Sequence, residues 1–124
     1  MNRKASIVVA SLIFGLLDVA AAQTPAGDPA RGKDIFEDRC TACHQLQAAG
    51  QGPALAGVVG RKAASQTGFA YSAALTSSGL TWTAANLDLF LSGPAKLVPG
   101  TAMFGTVSNP DKRRDLIAYL ATQK

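Results

Sequence analysis

The densest concentration of reactive side chains in this 124-residue chain is Cys40-Thr41-Ala42-Cys43-His44. Cys-x-x-Cys-His reads as a c-type haem attachment site. The spacing has a chemical reason. Two thiols three residues apart lie on one side of a helical turn, where each can form a thioether with a vinyl group on the porphyrin edge. The next residue, His44, then brings its imidazole to the iron from the same side. Other uses of two thiols fit less well. A dithiol redox centre belongs between a strand and a helix, and no segment here alternates as a strand should. A structural zinc site wants four ligands. With two Cys and one His in the whole chain, a protein cage would have to recruit an acid.

The sixth iron ligand follows by elimination. His44 is the only histidine, so two histidines from one chain cannot grip the iron. Of the two methionines, Met1 lies in a leader and Met103 lies in the turn-rich segment Pro99-Gly100-Thr101-Ala102-Met103. A thioether is a soft neutral ligand, and His/Met ligation raises the reduction potential. A methionine is also ordinary core filler; the stiff loop and the attachment motif favour ligation by Met103.

These groups must be held by short helices and long loops. Asp28-Pro29 supplies an N-cap and a first-position proline, which predicts a helix from Ala30 to about Cys40 with Ile35 and Phe36 on its apolar face. Gly32 in that helix costs about 1 kcal/mol relative to Ala, which close approach by another helix would justify. Gln45–Gly60 is punctuated by glycines and Pro53 and reads as loop. A short helix is expected at Ser72–Thr76. Thr83 can cap a further one over Ala84–Leu91, which Gly93-Pro94 stops, with a loop beyond. Ser108 or Asn109, then Pro110, opens the last helix, striped by Leu116, Ile117 and Leu120. Loops this long are unusual in a compact domain unless something inside organises them.

The first 22 residues have the layout of a secretory signal: Arg3 and Lys4, then the uncharged run Ala5–Leu17, then small residues ending at Ala22. The run falls short of the roughly 20 apolar residues a span needs. Cleavage after Ala22 is expected, leaving a single domain over residues 23–124 in the periplasm. Its removal takes away Arg3, Lys4 and Asp18 and lowers the formal net charge of +4 by one. Apart from Arg61-Lys62 and Lys112-Arg113-Arg114, the remaining basic residues are scattered, without the dense stripe and interleaved aromatics that nucleic-acid binding uses.

Several segments in series are similar to one family. They are Gly32-Lys33-Asp34-Ile35-Phe36, the Cys40–His44 motif, Gly52-Pro53-Ala54-Leu55-Ala56-Gly57, Gly60-Arg61-Lys62, Gly68-Phe69-Ala70-Tyr71-Ser72, Gly79-Leu80-Thr81-Trp82, Pro94 through Met103, and Arg114 through Leu120. Together they resemble the class I cytochromes c, the group that holds mitochondrial cytochrome c and its soluble bacterial relatives. The resemblance implies an all-α fold of short helices and long loops wrapped around one haem c, bound covalently through Cys40 and Cys43, with His44 and Met103 on the iron. It implies that Pro53 offers its carbonyl to the His44 ring and that Arg61, Tyr71 and Trp82 hydrogen-bond or screen the haem propionates. Thr101 would support the methionine loop, and Gly32 and Phe36 would meet Leu116 and Tyr119 where the first and last helices cross.

The implied function is an exported, soluble, monomeric one-electron carrier rather than an enzyme. Its redox partners would be dehydrogenase or respiratory-complex donors and oxidase-type acceptors. A peroxidase or gas-binding reading would need an open or labile sixth position, and a dedicated dehydrogenase subunit would use the same chemistry with a permanent partner. The sequence departs from the mitochondrial form at two informative places. Ala102 stands where that form has a lysine, so the basic ring at the haem edge is mostly missing, although Lys96 survives. Phe90 stands where a tyrosine often bonds the ligand sulfur.

Overall fold

The structure is a computed structural model and describes residues 26–124. The expected leader, residues 1–22, lies outside the described residues. Five helices occur in the order α1 Pro29–Arg39, α2 Ala73–Ser77, α3 Ala84–Ser92, α4 Pro94–Leu97 and α5 Pro110–Thr122. The caps expected at Asp28 and Thr83 are made: Asp28 accepts from the Ala30 amide at 2.8 Å and Thr83 from Asn86 at 3.1 Å. Ser72, expected as the first residue of the short helix, instead caps it by accepting from the Leu75 amide at 3.2 Å. Of the two candidates for the last helix, Asn109 is the cap, accepting from the Asp111 and Lys112 amides at 2.9 and 3.0 Å. Such side-chain acceptors satisfy amides that have no partner in the first turn.

One element differs from expectation. Gly93-Pro94 does end α3, but the chain then enters the single turn α4 rather than a loop. Proline cannot continue a helix for want of an N–H, yet its fixed φ suits the first position of a new one. That turn is closed by the Val98 amide donating to the Pro94 carbonyl at 2.8 Å, and it buries Val98.

α1 lies across α5, and this crossing is the most extensive helix contact among the described residues. The cost of Gly32 is explained there: a Cβ at this position would fall 2.7 Å from the Tyr119 Cβ, closer than packed atoms allow. One turn on, the Phe36 and Tyr119 rings pack at 5.5 Å between centroids. The Asp115 carboxylate of α5 reinforces the crossing by accepting from the Asp28 amide at 2.7 Å and Arg31 Nε at 2.8 Å. Among the described residues no helix is long and apolar enough to cross a membrane, and no strand is present beyond one isolated antiparallel bridge, Lys62 to Thr81.

The core is a shell rather than a solid. Leu87, Phe90 and Leu91 of α3, Leu116 and Leu120 of α5, and Val58, Trp82 and Val107 from loops are all buried, and all face one internal cavity. The long loops close around that space instead of around each other.

Candidate haem site

The attachment motif continues α1 by one tight turn. Cys40 caps the helix, with its amide bonded to the Phe36 carbonyl, and the Cys43 and His44 amides both donate to the Cys40 carbonyl at 3.1 and 2.8 Å. That turn places Cys40, Cys43 and His44 along the wall of the same cavity, which has a volume of about 570 Å³. The two cysteines are not joined to each other. Burial, opposed weakly by the Arg39 charge, pushes the Cys40 thiol up to about 11. Among the described residues no group of three or more His, Cys, Asp or Glu side chains could hold a metal ion. A metal here must arrive with most of its own ligands, as an iron porphyrin does.

His44 is fixed from two directions. Its Nδ1 lies 2.9 Å from the Pro53 carbonyl. A carbonyl only accepts, so Nδ1 carries the proton and Nε2 keeps its lone pair. Orienting a ligand histidine through its second nitrogen is the usual device at metal sites. The ring also rests on Gly52, where a Cβ would lie 2.6 Å from Nδ1 and 2.8 Å from Nε2. The space at residue 52 is thus reserved for the imidazole. Gly52 itself is tied back, its amide donating to the Cys43 carbonyl at 2.8 Å.

Met103 lines the cavity from the segment between α4 and α5. Its approach is built by a turn in which the Thr101 amide donates to the Val98 carbonyl at 3.0 Å and Gly100 adopts φ +89°, a conformation side chains disfavour. The Met103 amide then donates to Thr101 Oγ1 at 3.4 Å. Trp82 and Phe90, both lining the cavity, pack at 4.8 Å between centroids.

Arg61 and Tyr71 also line the cavity. The Arg61 guanidinium donates to the Ala54 and Ala56 carbonyls at 3.0 Å each and so braces the loop that carries Pro53. Burial pulls its pKa below the ordinary value, with the nearby Tyr71 opposing; arginine stays charged regardless. Tyr71 accepts from the Gln66 amide at 3.3 Å and stands edge-on to Phe69. All nine residues singled out from sequence, Cys40, Cys43, His44, Pro53, Arg61, Tyr71, Trp82, Thr101 and Met103, are brought to one cavity. The sequence reading missed Gly52 as the seat of the imidazole, and it missed Phe104, which also lines the cavity yet is 88% exposed. Its place next to Met103 was the signal.

A c-type haem needs an apolar cavity with two thiols at the ring edge and an imidazole within reach of the iron, and these residues fit that group. Comparison with known proteins agrees. The sequence model of the family described as Cytochrome c matches residues 29–124. Cytochrome c2 of Rhodomicrobium vannielii is 44% identical over 124 residues, covering 97% of this chain and 94% of the relative. Cytochrome cH from Methylobacterium extorquens superimposes with a TM-score of 0.75 at 49% identity, over 78% of this chain and 100% of that one. Ferricytochrome c2 from Rhodopseudomonas palustris gives 0.74 at 38% identity, over 78% and 99%. A hollow core opening onto the Cys40–His44 turn thus finds its counterpart in sequence and fold alike, and the chain belongs to the class I cytochromes c, electron-transfer proteins rather than enzymes, with one haem c joined to it through Cys40 and Cys43.

Proposed function

We propose that this protein is an exported, monomeric one-electron shuttle whose iron is held axially by His44 and Met103. The observation that carries the proposal is that a histidine with Nδ1 committed to the Pro53 carbonyl and the only methionine among the described residues line the same cavity. Haem, when bound, supplies a ferrous–ferric couple. The chain's own contribution is to keep the His44 tautomer and the methionine loop fixed, and to surround the porphyrin with Leu87, Phe90, Leu116 and Leu120 so that water is excluded from most of it. A thioether ligand and a low-dielectric shell both raise the potential. Arg61, Tyr71 and Trp82, at the cavity wall, are the candidates to screen the propionates.

The signal-like layout of residues 1–22 supports export and cleavage after Ala22, which would place the mature domain in the periplasm. Its partners would be a dehydrogenase or respiratory complex as donor and an oxidase-type protein as acceptor. Such encounters bury little surface, below about 1,200 Å² in total, and are short-lived.

Potentiometric titration with visible spectra on protein from an export-competent host tests this. The ferric form should show the sulfur-to-iron charge-transfer band, and intact mass should equal residues 23–124 plus one haem. A ferric spectrum without that band removes Met103 from the iron; a mass retaining residues 1–22 removes the cleavage.

A further inference from the structure

Met103 sits on a bridge between two anchors. The upstream anchor is the Val98–Thr101 turn. Downstream, Phe104, Gly105 and Thr106 are exposed, and Val107 is the first residue to be buried again. Val107 is held from two sides. Its amide donates to the Leu91 carbonyl of α3 at 2.8 Å, and its carbonyl accepts from Arg113 Nη1 of α5 at 2.9 Å. The same Nη1 donates to the Ser108 carbonyl at 2.8 Å, while Arg113 Nε donates to Asp88 Oδ1 of α3 at 2.7 Å. The Arg113 side chain is only 11% exposed. One largely buried guanidinium therefore joins α3, α5 and the downstream end of the methionine segment.

We propose that Arg113, locked by Asp88, is a positioning residue for the Met103 ligand: it sets how firmly the thioether is held in the haem site. The inference rests on the reading of Met103 as a ligand. Its physical basis is the planar guanidinium, which can serve a carboxylate on one edge and carbonyls on another with little loss of side-chain freedom. With only three residues between Met103 and Val107, any play at Val107 passes along the chain to the sulfur. Asp88 matters because it fixes the guanidinium plane and neutralises a charge that is largely out of water. Removing the partner of such a charge leaves the survivor to seek solvent, and Arg113 can do so only by releasing Val107 and Ser108.

The test is displacement of the thioether by imidazole in the ferric holoprotein, read from the sulfur-to-iron band. Asp88→Asn should bind imidazole roughly tenfold more tightly than the parent, a coupling within the usual range between linked sites. Arg113→Lys keeps the charge but loses the fork and should shift affinity in the same direction; it carries the test should the Asp88 variant not accumulate. Arg31→Gln, which weakens the α1–α5 crossing away from this segment, is the control and should leave imidazole affinity within about twofold, a change too small to mark a coupled site. The inference is overturned if both Asp88→Asn and Arg113→Lys match the parent, or if Arg31→Gln tightens binding as much as they do. A parent protein with no sulfur-to-iron band would instead overturn Met103 ligation itself, and this inference with it.

Discussion

At the scale of single residues, an imidazole that is to ligate iron must present one nitrogen without turning, and two neighbours arrange this for His44. The Pro53 carbonyl accepts the hydrogen bond from Nδ1–H, and Gly52 leaves the ring room. Gly52→Ala puts a methyl into occupied space. Overpacking of this kind costs about 1–3 kcal/mol, so the urea midpoint of the holoprotein should fall while intact mass still shows one haem. Met103→Ala should also retain haem, because the thioethers at Cys40 and Cys43 are untouched. Its potential should drop by on the order of 0.1 V, a part of the roughly 0.8 V that axial ligands span, and the ferric form should bind added imidazole without competition. Voltammetry and imidazole titration check the two halves of that statement.

The element scale is governed by the crossing of α1 and α5, which carries the attachment turn on one helix and closes the cavity with the other. The Asp115 carboxylate is central to it. The Arg31 guanidinium, then the Asp28 amide, hold its pKa below the ordinary 3.8. A carboxyl depressed in the folded state contributes its stability above the unfolded pKa and loses it as pH falls through the folded one. The contribution is thus complete at neutral pH and fades below about pH 4. Because the Arg31 side chain is 66% exposed, solvent screens the pair and the Asp28 amide bond matters as much as the charge. Asp115→Asn should lower the urea midpoint at neutral pH, and the gap between variant and parent should narrow as the pH is taken to about 3; a constant gap would show that Asp115 acts through packing alone.

For the whole molecule, the decisive fact is that the buried apolar side chains line one cavity rather than pack on one another. Without a group to pack on, Leu87, Phe90, Leu116 and Leu120 would lose much of the burial that offsets chain entropy, in a domain whose whole net stability is about 5–15 kcal/mol. The chain made without haem, for example as Cys40→Ala/Cys43→Ala, should therefore show weak far-UV ellipticity and no cooperative melt. Charge is the other whole-molecule property. A formal net charge of +4, lowered by one once the leader is gone, with only the short runs Arg61-Lys62 and Lys112-Arg113-Arg114 among otherwise scattered basic residues, gives no strong patch to steer a partner. Electron-transfer rates with a redox partner should change by less than about threefold between roughly 0.05 and 0.2 M salt, where a strongly steered pair would fall far more. Stopped-flow kinetics across that range decides it.

Much of this architecture is written locally. Asp28-Pro29, Thr83 and Asn109-Pro110 set helix starts because a cap and a missing N–H act within one turn, and Cys40, Cys43 and His44 declare their chemistry because five adjacent residues suffice to meet one edge of a porphyrin. Resemblance to a family supplied Pro53, Arg61, Tyr71, Trp82 and Thr101, whose roles no local pattern betrays. The one-turn helix at Pro94–Leu97 escaped because a Gly-Pro stop and a new start look alike in sequence. Gly52 beneath the imidazole and Arg113 behind the methionine segment also lay beyond reach, since each depends on groups brought together only when distant segments fold onto one cavity. Sequence determined which side chains can bind iron and where the side-chain-capped helices begin, since those are short-range matters of chemistry and capping. Tertiary structure alone decided what holds the candidate ligands in place, since packing and buried hydrogen bonds join residues that the chain itself keeps far apart.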